Sequence, residues 1–244
     1  MDRYRISIIV IAAALGACES HHDDPAASIL LFNGTGTSRN DVAAVESILR
    51  ASRLSYSTVT SRRLNAMSQA DIRRYRLVIV PGGNFVDIGN NLTASAAENV
   101  RNAVRSGTNY VGICAGAFFA GDSPFNGLNL TSGVRFHFYA AEDRGIHKTA
   151  VPISIVQGRT LEHYWEDGPQ LNGWGDVVAK YPDGTAAVAE GTYGSGWVIL
   201  SGVHPEAPAS WRRGMSFNTP ASADHEYAAA LIRAAYDRVS LPHY

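Results

Sequence analysis

Cysteine is scarce in this 244-residue chain, with only Cys18 and Cys114 present. Two cysteines exclude a disulfide-stapled scaffold. A long apolar run is also missing: the N-terminal stretch Ile6–Leu15 spans ten residues, half of what a bilayer core requires. Charge of one sign is missing too, since 21 Lys and Arg face 22 Asp and Glu for a formal net charge of −1. That balance excludes a polyanion-binding surface, so no nucleic-acid partner is expected. Arg62, Arg63, Arg73, Arg74 and Arg76 cluster among polar residues and read as a solvated face. Internal repeats and low-complexity tracts are absent. The Gly34-Thr35-Gly36 stretch puts Arg39 where a dinucleotide fingerprint needs its third glycine, which excludes that site. His137, His147 and His163 lack metal-ligand spacing and are expected on the surface or a pocket rim. Neither a metal nor a cofactor is implied.

The N-terminus carries a positive signal. Arg3 and Arg5 precede the apolar run, which ends in Leu15-Gly16-Ala17-Cys18. This order of charge, apolar length and small residues is that of a signal peptide, and its last four residues resemble the lipobox of bacterial lipoproteins. The resemblance implies lipidation of Cys18, membrane attachment through that lipid and a periplasm-facing cell-envelope location. Glu19 follows, where inner-membrane retention often uses Asp, so the outer membrane is favoured. Residues 1–18 are thus expected to be a signal peptide and residues 19–27 a polar tether, with one α/β domain over residues 28–244. His21, His22, Asp23 and Asp24 sit in the tether without a fixed backbone and are not read as a metal site.

Strand and helix periods alternate through the domain. Ser28–Asn33, Tyr56–Thr60, Leu77–Val80 and Tyr110–Ile113 read as strands. Val42, Val45, Ile48 and Leu49 mark one helical face, Ser68 and Asp71 a capping box, and Ser95–Ser106 a helix stopped by Gly107. This order predicts a three-layer, doubly wound, mostly parallel sheet. Segments from Val134 to Leu200 lack helical periods and suggest an antiparallel extension, before a final helix near Ala223–Val239.

With Cys18 assigned to the lipid, Cys114 has no disulfide partner and needs another reason to be there. It lies in Gly112-Ile113-Cys114-Ala115-Gly116, between an apolar strand and an apolar helix. This is the nucleophile-elbow pattern with Cys in place of Ser, where crowding at the flanking positions favours Gly. A buried structural cysteine is the alternative. A nucleophilic Cys needs a base, and the base an orienter. His204-Pro205-Glu206 supplies both after the strand Trp197–Ser201; on an extended backbone His204 and Glu206 share a side. Pro81-Gly82-Gly83 follows the strand Leu77–Val80, and its Gly82 and Gly83 amides, with that of Ala115, are candidates for an oxyanion hole. Tyr164, Trp165, Glu166 and Asp167 either wall the site or simply pack.

Taken together, these three motifs resemble the class I glutamine amidotransferase superfamily. More specifically, Gly112 to Phe119, the loop from Trp165 to Pro169 and Ser201 to Glu206 are similar to the amidotransferase-like N-terminal domain of biotin–protein ligases, also found as a free-standing bacterial protein. The resemblance implies a flavodoxin-like α/β/α fold with Cys114 as nucleophile, His204 as base and Glu206 as orienter. It also exposes a departure: glutamine amidotransferases usually carry Gln four residues after the nucleophile, and here that residue is Phe118. Synthetase and biotin-ligase domains are absent from the sequence. Two functions stay open: a thiol hydrolase of a small-molecule or peptide amide, and a non-catalytic module that keeps the fold to bind a ligand or partner. The sequence names no protein partner.

Overall fold

The computed structural model describes residues 27–156 and 158–244; the expected signal peptide, Cys18 and most of the tether lie outside them. From the N-terminus the elements are β1 (Ile29–Phe32), α1 (Arg39–Ala51), β2 (Tyr56–Val59), α2 (Ser61–Ala66), α3 (Gln69–Ile72), β3 (Leu77–Val80), α4 (Phe85–Asn90), α5 (Ala94–Arg105), β4 (Asn109–Ile113) and α6 (Ala115–Ala120). They continue as β5 (His137–Phe138), β6 (Lys148–Ile155), β7 (Arg159–Glu166), β8 (Pro169–Gln170), β9 (Asp176–Lys180), β10 (Ala186–Tyr193), β11 (Gly196–Ser201) and α7 (Ala221–Asp237).

Nine strands form one sheet in the order β2-β1-β3-β4-β11-β10-β9-β6-β7. The first five are mutually parallel, and β10, β9, β6 and β7 extend the sheet antiparallel. This is the three-layer α/β/α, mostly parallel sheet with an antiparallel extension that the periodicity predicts. β1, β3 and β4 are buried along their whole length, as strands covered on both faces must be. Alternate side chains feed two separate cores. Ile29, Leu31, Leu77 and Ile79 pack under α1 and α7, whereas Leu30, Phe32, Val78 and Val80 pack under α5 and α6. Each such side chain contributes about 1.5–3 kcal/mol by leaving water.

Helix ends follow their local chemistry. Ser68 and Asp71 form the expected reciprocal capping box at α3. Gly107 follows α5 at φ +115°, a conformation natural to glycine. The helices α2 and α4, six residues each, were not marked by periodicity, because so short a helix shows less than two turns of pattern. Among the described residues, no helix is long and apolar enough to cross a membrane.

One expectation about the histidines is corrected. His163 is fully buried, not on the surface or a pocket rim. It alternates with the buried Leu161 and Trp165 along β7, so its side chain must point into the same core. Its Nδ1 lies 3.4 Å from Asp224 of α7, which also sits 3.5 Å from Arg212. Burial first, and then the Arg212 charge, push His163 down to about 3; burial raises Asp224 to about 7 against the pull of Arg212.

Two variants test this account. Gly116 sits where α6 crosses β3, and a Cβ there would fall 1.9 Å from the Val80 carbonyl oxygen. Gly116→Ala should therefore destabilise by roughly 1–3 kcal/mol or more, read in a denaturant titration. For Asp224, a folded pKa raised above the unfolded value contributes stability that is full below about pH 4 and lost as pH rises through about 7. Asn cannot ionise, so the melting temperature of Asp224→Asn should gain on the wild type between pH 5 and pH 8. A pH-independent difference would show that Asp224 does not titrate in this range.

Candidate active site

The Cys114 backbone adopts φ +49° and ψ −105°, an unfavourable conformation for a residue with a Cβ, at the junction of β4 and α6. Neighbouring backbone holds it there: its N–H donates to the Ser201 carbonyl of β11 at 2.8 Å. Gly112 and Gly116 pack against each other across the turn, where a Cβ on Gly112 would approach the Gly116 carbonyl oxygen to 2.5 Å. The elbow pattern therefore has the physical cause expected of it: this turn closes only with glycine on both sides.

β11 delivers His204. Because β11 lies parallel to β4, the chain leaving Ser201 emerges beside the elbow. The His204 N–H then donates to the Tyr164 carbonyl at 2.9 Å. Glu206 does meet the imidazole, Nδ1 to Oε1 at 2.9 Å, although the route differs from the extended segment expected. The chain turns at Pro205 and Glu206, and the Ala207 N–H donates to the His204 carbonyl at 3.2 Å.

A third group, which sequence reasoning missed, completes the cluster. Asp41, in the first turn of α1, places Oδ1 3.1 Å from the same His204 Nδ1. Glu206 makes the hydrogen bond, while Asp41 is an ion-pair partner whose Oδ1 has none. All three residues are buried. Burial opposes the imidazolium, but the Cys114 sulfur, Glu206 and Asp41 outweigh it and hold His204 well above its ordinary value. Asp41 ends below the usual carboxylate range because His204 and the Ser38 hydroxyl overcome its burial; Glu206, more deeply buried, ends above it. The two carboxylates thus share one imidazole nitrogen. In sequence, Ser38-Arg39-Asn40-Asp41 has the spacing of a helix cap, and Asp41 does donate its N–H to Ser38 Oγ at 3.3 Å. The capping pattern conceals the second role.

Cys114, Ala115, Gly83, Asp41 and His204 line one cleft of about 650 Å³, within the usual size of a small-molecule site. Gly82 does not line it. A Cβ on Gly82 would meet Asp41 at 2.1 Å and the His204 ring at 2.6 Å, so its bare α-carbon makes room for that pair. Glu166 and Asp167 line the cleft, whereas Trp165 is core and Tyr164 packs edge-on against the His204 ring at 5.8 Å. The Cys114 thiol donates to the Glu166 carbonyl at 3.5 Å and, among the described residues, makes no hydrogen bond to His204. His137 and His147 are exposed and do not line the cleft, although the His147 ring meets the carboxylate of Asp167, which does, at 3.0 Å.

Asp41, His204 and Glu206 are also a set that could hold a metal, with ligand atoms within 4.8 Å of one another. An ion there would need the His204 Nδ1 that Glu206 already occupies, so metal binding and imidazole orientation would compete for one atom.

If Asp41 supports the imidazolium by its charge, Asp41→Asn should lower the His204 pKa towards 6.5, followed through the imidazole proton resonances in an NMR pH titration. An unchanged titration would show that Glu206 and Cys114 alone set it.

Comparison with known proteins accords with this geometry. Residues 27–129 match the family described as "Biotin-protein ligase, N terminal". Among solved structures, a glutamine amidotransferase aligns with a TM-score of 0.55 at 19% identity, covering 73% of this chain and 90% of that one. PurLQS from Thermotoga maritima aligns at 0.57 with 15% identity, covering 84% and 97%. A cytoplasmic protein of Salmonella typhimurium aligns at 0.53 with 11% identity, covering 84% and 98%. No curated protein sequence matches the chain. The chain is class I glutamine amidotransferase-like in fold, and similar to the N-terminal domain of biotin–protein ligases over residues 27–129.

Proposed function

We propose that the protein is an amidotransferase-like thiol hydrolase that cleaves an amide through Cys114, His204 and Glu206. The observation that carries this reading is one cleft onto which a nucleophile elbow and a carboxylate-oriented imidazole both open. Cys114 Sγ, its proton passed to His204, attacks the amide carbon. A C–S bond forms, and the carbonyl oxygen becomes an oxyanion facing the Gly83 and Ala115 N–H groups that border the cleft. The imidazolium then protonates the leaving amine as the C–N bond breaks. Water, deprotonated by His204, hydrolyses the thioester and restores the thiol. Glu206 holds the ring's tautomer throughout, and Asp41 adds a second negative charge where the imidazolium forms. The lipid-anchored, periplasm-facing location implied by residues 1–18 belongs to this proposal and rests on the sequence.

A second reading, a binding module without catalysis, has support of its own. The Cys114 thiol is engaged by the Glu166 carbonyl, and Phe118 stands where Gln is usual in the enzymes this chain resembles. His204→Ala separates the two. Hydrolysis predicts amide turnover that falls by about 10²–10⁴-fold in a variant that still folds, though with a lower melting temperature because Asp41 and Glu206 lose their buried partner, together with slower alkylation of Cys114 by iodoacetamide near neutral pH. A thiol that alkylates at the same rate with or without His204, in a protein that turns over no amide, would leave the binding module.

A further inference from the structure

We propose that this cleft selects an uncharged amide whose acyl portion ends in a flat apolar group, seated on a wall formed by Phe85, Phe118 and Phe138. The proposal deepens the thiol-hydrolase reading and takes its reaction from it. Three observations carry it.

The first is the wall itself. Phe118 lies in the first turn of α6 after Cys114, its N–H donating to the Cys114 carbonyl at 3.1 Å, and both residues line the cleft. Phe85 opens α4 directly after Gly83 and Asn84, next to the proposed oxyanion donors. Its ring stacks on Phe118 at 4.6 Å, and Phe138 meets Phe118 edge-on at 4.9 Å. Three elements distant in sequence thus bring three rings to one side of the nucleophile.

The second is exposure. Phe118 is 6% exposed, but Phe138 is 39% exposed, one of the few large apolar side chains left open among the described residues. An aromatic ring at the mouth of a cleft, continuous with two more inside it, gains most when a flat apolar group covers it.

The third is charge. Asp41, Glu166 and Asp167 line this cleft and, among the described residues, no Lys or Arg does. Lys148 and Arg213 border an adjoining hollow of about 360 Å³ that shares Asp41, Glu166 and His204 with the cleft and opens towards Trp211, away from the phenylalanine wall. A free carboxylate close to the scissile bond would meet Glu166 with no Lys or Arg to bind it, because the His204 ring is already shared by Asp41 and Glu206 and His147 is paired with Asp167. Glutamine, which carries such a carboxylate, is a poor fit, whereas an arylalkyl carboxamide fits wall and charge together.

The test uses covalent probes that do not depend on turnover. Cys114 of the full chain is alkylated with N-benzyl-2-chloroacetamide, 2-chloroacetamide or N-chloroacetylglycine, each forming one S–C bond and releasing chloride. Labelling is followed by mass spectrometry on the Cys114 peptide, so Cys18 does not interfere. Glutathione supplies the intrinsic reactivity of each reagent. The proposal expects the benzyl reagent to be favoured over chloroacetamide by roughly tenfold relative to glutathione, and the glycine reagent to be disfavoured. The benzyl preference should shrink severalfold in Phe118→Gln. Phe138→Gln, at the exposed end of the wall, supplies the same reading if Phe118→Gln fails to fold. Rate ratios equal to those of glutathione, or a preference for the carboxylate-bearing reagent, would overturn the proposal. Turnover of phenylacetamide is measured alongside. A benzyl preference without turnover keeps the pocket and removes the hydrolase; turnover without the preference keeps the hydrolase and removes the pocket.

Discussion

The elbow at Cys114 is the constraint on which the candidate site depends. A residue with a side chain is held at positive φ between β4 and α6, a conformation costing about 1–3 kcal/mol that survives only where surrounding structure over-determines it. Here β11 supplies the carbonyl that fixes the Cys114 N–H, and β3 presses its Val80 carbonyl against Gly116. Both restraints come from the parallel sheet: β4 lies between β3 and β11, so its C-terminal end is gripped from either side. The same adjacency brings the chain after β11 past Cys114 and delivers His204.

Around the imidazole the fold solves an electrostatic problem. A buried cation needs compensating charge, and α1 and the turn after His204 each contribute a carboxylate, to the same nitrogen. One carboxylate would orient the ring. The second adds negative potential at the same nitrogen and helps hold the ring above its ordinary pKa. Gly82 is part of this arrangement, because any side chain there would displace Asp41 and His204 together. Away from the cleft, the antiparallel extension carries a second buried histidine, His163, beside Asp224 and Arg212.

Much of this was legible beforehand. The strand at Leu77–Val80, the Ser68–Asp71 capping box and the glycine-flanked cysteine depend on interactions within a few residues. For such features residue type and spacing carry nearly all the information. His163 could have been found by the same means, because Leu161, His163 and Trp165 alternate as one face of a buried strand. The assignment of Glu206 to His204 had the right partners and the wrong backbone, since proline ends strand pairing but does not specify the turn that follows.

The layered α/β class, the elbow and the His204–Glu206 pairing are written in local order: periodicity, glycine placement, a tripeptide. Long-range packing alone brings Asp41 to that pair, makes Gly82 clear space for the ring while Gly83 borders the cleft, and gathers Phe85, Phe118 and Phe138 into one wall. These groups are separated by tens of residues and meet because the parallel crossovers bring the ends of β3, β4 and β11 and the start of α1 to one sheet edge. Contacts made by chain topology leave no spacing to read in a single sequence.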